Sequence, residues 1–459
     1  MLSVRRSLYS IYGRNLRLLS GVKASNPSGS SRSAVDARAT VVQAPTSIDD
    51  TIPQEKKYDK ALRSTAVGVD VLHDPLWNKG TAFSELERDR LGLSGLLPPV
   101  VRTIDQQKER VLDHLKRLNS DEEKNMYLQD LCNRNETLYF SILVEHIEEM
   151  APLVYTPTVG NVCLNFADQY RRARGLYLTR KNRGDMHALI HNWPYDDVHV
   201  IVVTDGSRIL GLGDLGINGM GIPIGKLALY CAAGGIAPHR VLPVMLDVGT
   251  NNEELRKNPL YMGTPEHRLD GPEYFEMVDE FMQAVFSRWP NVTVQFEDFE
   301  TPKAVPLLAR YKDKYRMFND DIQGTGSVTV SGMLSALRNA NESITDCRVL
   351  CVGAGSAGLG VCDQIVLSMV EGGMTKEEAM GRFVVTTSTG ALGKQDGTYG
   401  DPNVKRNKIN SLTSEWVNEA VPDGMPINEI IKTFRPTVRP LLIVCLDCLY
   451  SPSLYPQII

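Results

Sequence analysis

The stretch from Gln295 to Gly326 constrains this chain more than any other, because it sets two acidic pairs among apolar residues. Glu297–Asp298 follow Val292-Thr-Val-Gln-Phe296, and Asp320–Asp321 follow Tyr315-Arg-Met-Phe-Asn319. The first pair ends a short β-branched run, which reads as a buried strand with its C-terminal lip at those acids. The second pair precedes a turn and a small-residue helix, from Gly324 to about Asn339. Four carboxylates in such surroundings repel one another unless something positive lies between them. Either pair alone reads equally well as a helix cap or a solvated group. Together, with a glycine-rich nucleotide motif close behind, they point to a hard divalent cation, Mg2+ or Mn2+, with oxygen ligands and positions open to substrate.

The 459 residues allow two or three domains with cores of their own. A net charge of −5 argues against nucleic acid as a partner. The 8 cysteines sit in apolar segments and read as reduced, buried thiols. Cys445-x-x-Cys448 has redox or zinc spacing but no second pair. No run approaches the roughly 18–20 apolar residues that span a bilayer, so no membrane partner is expected.

Residues 1–35 contain no acid, carry Arg5, Arg6, Arg14, Arg17, Lys23 and Arg32, and turn Ser-rich after residue 24. That composition is expected of a transit peptide, with the mitochondrial matrix as destination and the plastid or cytoplasm as alternatives. Residues 36–75 read as a lead-in. From about 76 to 150 the apolar spacing is helical over Glu85–Leu91, Ile104–Leu118, Glu122–Leu131 and Asn135–Glu149, a layer suited to an oligomer surface. Val154-Tyr-Thr-Pro-Thr-Val-Gly160 breaks the helices, and its tyrosine by itself reads as packing.

Strands are expected over Val198–Thr204 and Arg240–Asp247, and an amphipathic helix over Glu273–Arg288. Between the strands lies a glycine-rich run, Arg208 to Lys226, whose glycines let backbone approach a ligand closely. Lys226 enters a helix expected over Leu227–Ala233, where it either snorkels or is a desolvated base. His187 and His191 read as packing or surface residues.

A second domain begins near 322. The strand Arg348–Val352 runs into Gly353-Ala-Gly355-Ser356-Ala357-Gly358, and a helix follows over Leu359–Glu371. In that setting the motif reads as a dinucleotide fingerprint with the pyrophosphate at the helix N-terminus. The next strand, Arg382–Thr387, ends in Thr387-Ser-Thr389 where a ribose-binding acid is expected, so NAD and NADP both stay open. The fold class is therefore α/β. It comprises a helical N-terminal layer with an α/β substrate domain (76–321), then an incomplete Rossmann-type dinucleotide-binding domain (322–459).

Tyr155-Thr-Pro-Thr-Val-Gly, Arg208-Ile-Leu-Gly-Leu-Gly-Asp-Leu-Gly, Gly219-Met-Gly-Ile-Pro-Ile-Gly-Lys226, Gln295-Phe-Glu-Asp-Phe and Phe318-Asn-Asp-Asp-Ile-Gln-Gly-Thr, in this order, resemble the malic enzymes over about 76–438. The resemblance implies oxidative decarboxylation of (S)-malate to pyruvate and CO2 with NAD+ or NADP+ and a divalent metal. It implies Glu297, Asp298 and Asp321 as metal ligands, Lys226 as base, Tyr155 as acid, Asp320 as support for the lysine and Arg208 on a substrate carboxylate. It implies a homo-oligomer, dimer or tetramer, while the glycine fingerprint and the strand end after it place Gly353, Gly355, Ser356, Ala357, Gly358 and Thr387 at the cofactor. Arg110 and Arg134 fall where some members bind an activating fumarate at a subunit interface, although Arg102 stands where those members carry an acid.

After Val438 the sequence leaves the family pattern, and the family's nicotinamide-ribose and substrate asparagines have no counterpart before Ile459. The expectation is a truncated or mis-spliced chain with an open sheet edge beside Leu441–Leu446. The alternative to an active enzyme is then a silent subunit that binds metal or malate and joins full-length partners.

Overall fold

The computed structural model describes residues 64–399, 407, 409–410, 412–434 and 443–444. The expected transit segment, residues 36–63 of the lead-in, Cys445 and Cys448 lie outside them. The helical layer comprises α1 (Glu85–Arg90), α2 (Ile104–Leu115), α3 (Asp121–Arg134), α4 (Glu136–Glu145), α5 (Ile147–Val154) and α6 (Thr158–Leu164). Capping boxes begin α1 at Ser84 and α2 at Thr103, and Ser120 caps α3. These hydroxyls satisfy amides that the first helical turn leaves without partners. The single helix expected over Asn135–Glu149 divides at His146, whose backbone leaves the helical region.

Next comes a sheet of β1 (Leu176–Thr179), β2 (Val200–Thr204), β3 (Val241–Asp247), β4 (Thr293–Phe296) and β5 (Met317–Asn319). The strands are parallel in the order β1-β3-β2-β4-β5. Parallel strands need crossovers that cover both faces, so they read as continuous apolar runs. Accordingly, every residue of β3 is buried. The crossovers supply α7 (Gly221–Gly234), α8 (Gly271–Arg288) and α9 (Thr301–Tyr311). Ile201, Val244, Phe281, Val285, Phe296 and Leu307 pack in the largest core.

Helix α7 begins six residues before the expected start. The run Gly219–Gly225 is wound into helix instead of open loop because Met220, Ile222 and Leu227 are buried. Its glycines serve close helix packing: a Cβ on Gly225 would lie 2.6 Å from Val154 O and 3.0 Å from a Tyr155 ring carbon.

Helix α10 (Thr325–Ala340) leads to the second sheet, made of β6 (Val349–Val352), β7 (Phe383–Thr387) and β8 (Gly390–Ala391), with α11 (Ser356–Glu371) between β6 and β7. β6 and β7 are parallel and β8 antiparallel. β9 (Gly393–Thr398) pairs with β10 (Asn418–Asp423), and α12 (Ile427–Phe434) follows. At the expected open edge, β11 (Ile443–Val444) lies parallel to β6; the other residues of 441–446 are outside the described set. Among the described residues no helix is long and apolar enough to cross a membrane.

Candidate active site

β3 and β4, consecutive in the sheet region of the chain, flank β2 on opposite sides. Such a reversal of strand order opens a crevice at the carboxyl ends of the parallel strands. Three neighbouring strands present their C-terminal residues there: Asp205 after β2, Glu297–Asp298 after β4 and Asp320–Asp321 after β5. Glu297 N still donates to Val203 O at 3.0 Å, so the ladder fixes its position. Asp298 adopts a φ of 59°, a left-handed conformation uncommon outside glycine. Its carbonyl accepts from Arg208 N at 3.2 Å and its Oδ1 from Leu210 N at 3.2 Å. Asp320–Gly324 form one wide π-helical turn before α10.

Helix α7 carries Lys226 into the crevice from one side, and the end of α5 delivers Tyr155. Lys226 Nζ donates to Asp320 Oδ2 at 2.6 Å, to Glu297 Oε1 at 3.0 Å and toward the Tyr155 hydroxyl at 3.4 Å. The Tyr155 hydroxyl donates to Glu297 Oε1 at 3.0 Å. Gln295, fully buried on β4, bridges Tyr230 and Glu297. The motif that opens at Gln295 reveals no role for it in sequence, although a polar side chain inside a buried strand is the available signal.

Burial by itself would lower the Lys226 pKa, but the charges of Glu297 and Asp320 more than offset it and hold the ammonium protonated. For Tyr155, burial first and Glu297 second push the phenol well above its ordinary range, so the hydroxyl keeps its proton. Burial also raises Glu297, against the pull of Lys226. Asp298 is driven up by burial and then by Asp321 and Glu297, and Asp321 rises to about 7 through burial and the Glu297 charge. The pocket is thus over-supplied with negative charge.

That surplus bears on the expected cation. Among the described residues, no three carboxylate, imidazole or thiolate groups converge in a formed metal cage. Both Glu297 oxygens are taken, by Lys226 with Tyr155 and by Gln295. Asp321 Oδ2 accepts from Asp298 N at 2.8 Å, while Asp298 Oδ2 is buried with no partner. An orphaned, buried carboxylate oxygen beside two more carboxylates is a donor set that fits a hard cation.

Arg208 lies exposed in the loop after β2. A buried network that the sequence did not reveal holds this loop. Arg268 donates to Asp214 through Nε at 2.8 Å and Nη2 at 2.9 Å, and to Asp205 O at 2.8 Å. Tyr274 closes the network on Asp205 Oδ2 at 2.8 Å. Arg268 stands in a turn-rich segment that reads as surface, so only its tertiary partners expose its role. Arg110 on α2 and Arg134 ending α3 are both exposed, and no described hydrogen bond or ion pair joins them. His187 and His191 are exposed, as expected.

In the second sheet, Gly353 has a φ of 110°, and a Cβ on Gly358 would fall 2.1 Å from Gly353 O. Only glycine fits this turn. Gly355 precedes α11, whose first two residues are Ser356 and Ala357. Ser356 N and Oγ both donate to Thr301 Oγ1, at 3.1 and 2.7 Å, so the first turn of α9 meets the first turn of α11. Thr301 was not singled out from sequence. Thr387 ends β7 beside this turn, half-buried.

Residues 132–312 match the malic enzyme N-terminal domain, and residues 322–443 match the malic enzyme NAD binding domain. The chain is 48% identical over 396 residues to the mitochondrial NAD-dependent malic enzyme of Solanum tuberosum, covering 82% of this chain and 62% of that one. It is 46% identical over 373 residues to the hydrogenosomal malic enzyme of Neocallimastix frontalis, with 81% and 61% covered. With the NAD-dependent malic enzyme of Proteus mirabilis it shares 47% identity over 384 residues, 84% of this chain and 68% of that one. The chain therefore spans 62% and 61% of the lengths of the first two of these relatives.

Proposed function

This chain belongs to the malic enzyme family, and from that premise we propose that it oxidatively decarboxylates (S)-malate to pyruvate and CO2 while reducing NAD+. The observation that carries the reading is the convergence of Lys226, Tyr155, Glu297 and Asp320 from four separate elements. Glu297, Asp298 and Asp321 would hold Mg2+ or Mn2+, which supplies Lewis-acid polarisation of the substrate's C2 oxygen. Arg208 holds a substrate carboxylate and orients C2 toward the nicotinamide.

Lys226, in its uncharged form, takes the C2 hydroxyl proton as hydride leaves C2. Substrate displaces Glu297 and Asp320 from their present monopoly of the ammonium, which eases loss of its proton. Cleavage of the C3–C4 bond releases CO2 and leaves electron density on C3. Tyr155, kept protonated, delivers a proton to C3. Lys226 stands 3.4 Å from the Tyr155 hydroxyl, so the proton it removed returns through Tyr155. The ledger closes: hydride goes to the cofactor, the hydroxyl proton to C3, and none is released.

The basic, acid-free N-terminus supports a mitochondrial address, and the exposed faces of α2–α5 support self-association into a dimer or tetramer. The deciding experiment is NADH formation by the purified chain with malate, NAD+ and Mn2+. Turnover that Lys226→Ala abolishes, with Mn2+ binding retained, supports the reading. No turnover by a folded chain that binds both Mn2+ and NAD+ refutes it.

A further inference from the structure

In a doubly wound sheet, the strand after the glycine-rich turn ends beside the adenine ribose, where an acid ordinarily accepts the ribose hydroxyl proton. β7 ends instead in Thr387-Ser388-Thr389. Gly353 N donates to Thr386 O at 3.1 Å, which seats this end against the glycine turn.

The polarity of the hydroxyl cluster is fixed from beneath. Asn407 is buried, and its Nδ2 donates to Ala391 O at 2.7 Å and to Asp423 Oδ1 at 2.8 Å. Asp423 is itself buried and held by Asn407 N at 3.2 Å. A carbonyl and a carboxylate on one side leave the carboxamide a single orientation, with Oδ1 toward the strand end. The hydroxyls of Thr387 and Thr389 both donate to that Oδ1. Thr389 N donates to Thr387 Oγ1 at 3.1 Å, and the two hydroxyl oxygens are 2.9 Å apart. A hydroxyl has one proton and two lone pairs. Both protons point inward, so unused lone pairs are what the two threonines offer a ligand.

We infer that Thr387 and Thr389, oriented by Asn407, form an uncharged acceptor for the ribose 2′-hydroxyl and select NAD+ over its 2′-phosphorylated counterpart without a carboxylate. A 2′-hydroxyl donates into a lone pair, whereas a 2′-phosphate brings acceptor oxygens and negative charge against lone pairs. This rests on the cofactor reading given under the proposed function and names the groups that decide it. Asn407 is a positioning residue and Thr387 the specificity-determining one.

The test is calorimetric titration of NAD+ and NADP+ into the full chain without malate or metal, so that it does not depend on turnover. NAD+ binds about tenfold tighter, the worth of one neutral hydrogen bond. Thr387→Val keeps the shape, removes the lone pair and brings the ratio toward one by weakening NAD+ alone. Asn407→Leu frees both protons to turn outward and brings the ratio toward one by strengthening NADP+. Thr387→Asp widens it. NADP+ binding as tight as NAD+ to the unaltered chain overturns the inference, as does an unchanged ratio in Thr387→Val. Should Asn407→Leu fail to fold, the near-isosteric Thr387→Val still decides. Binding of neither dinucleotide overturns the inference and the cofactor reading together. The expected ratio in a chain that does not turn over malate supports the inference while sinking the proposed reaction.

Discussion

Gly225→Ala should cripple the proposed catalysis while leaving the fold standing. The new Cβ would lie 2.6 Å from Val154 O and 3.0 Å from a Tyr155 ring carbon, where ordinary contact begins at 3.4 Å. Restoring that distance to Val154 O takes a shift of about 0.8 Å between α7 and the end of α5, the two elements that carry Lys226 and Tyr155. Overpacking of this kind costs about 1–3 kcal/mol, against which alanine's helix propensity returns about 1. The net loss of stability is therefore about 0–2 kcal/mol, too little to unfold the chain. The Lys226–Tyr155 separation of 3.4 Å would stretch past hydrogen-bond reach, and misplacement near 1 Å costs about 100-fold in rate. Gly332 is the control: it lies exposed on α10 with nothing within 4 Å of its Cβ position, so Gly332→Ala should stabilise by up to about 1 kcal/mol at unchanged rate. The assay is kcat for NADH formation beside a urea-melt midpoint for each variant. A Gly225→Ala enzyme of normal kcat, or a Gly332→Ala enzyme equally slowed, would refute the reasoning.

Asp298→Ala and Asp321→Ala should each abolish measurable Mn2+ binding by calorimetry, because each removes a buried oxygen donor; undiminished binding by either variant contradicts the proposed ligand set. Arg268→Met should cost about 3–5 kcal/mol in urea unfolding, since it leaves buried Asp205 and half-buried Asp214 without their cation. Burial alone would raise Asp214, but the Arg268 hydrogen bond and charge hold its carboxyl below the ordinary 3.8. A depressed folded-state pKa gives stability that is full above 3.8 and drains away as pH falls through the folded value. Asp214→Asn should therefore flatten the loss of stability below pH 3.8, and an unaltered acid limb would count against the pairing.

Much of this was legible in the sequence where local pattern and tertiary role coincide. A β-branched run stopping at acids gave away the carboxyl end of β4, and strand–glycine–helix order gave away the turn at Gly353, whereas β5, Met317-Phe-Asn319, has no β-branched residue and was not legible as a strand. Other features were hidden for physical reasons. The Gly219–Gly225 run has loop composition, yet its interleaved Met220 and Ile222 are buried in helix, so close packing overrode propensity. Arg268 and Asn407 lie in segments without periodicity and Thr301 sits at the very start of α9, and each acts on a partner distant in the chain: Asp214, Thr387 and Ser356 in turn. The sign of the Lys226 shift was equally out of reach, because it depends on distances to Glu297 and Asp320 that only packing sets.

Lys226 reaches its oxygen partners across 71 and 94 residues of chain, and Tyr155 reaches Glu297 across 142. No local hairpin or helix pair can pre-assemble such a quartet, and long closures form late. Recovery of catalysis after dilution from denaturant should thus trail the far-ultraviolet helix signal, making enzymatic rate a stopwatch for the docking of β4 and β5 against α7.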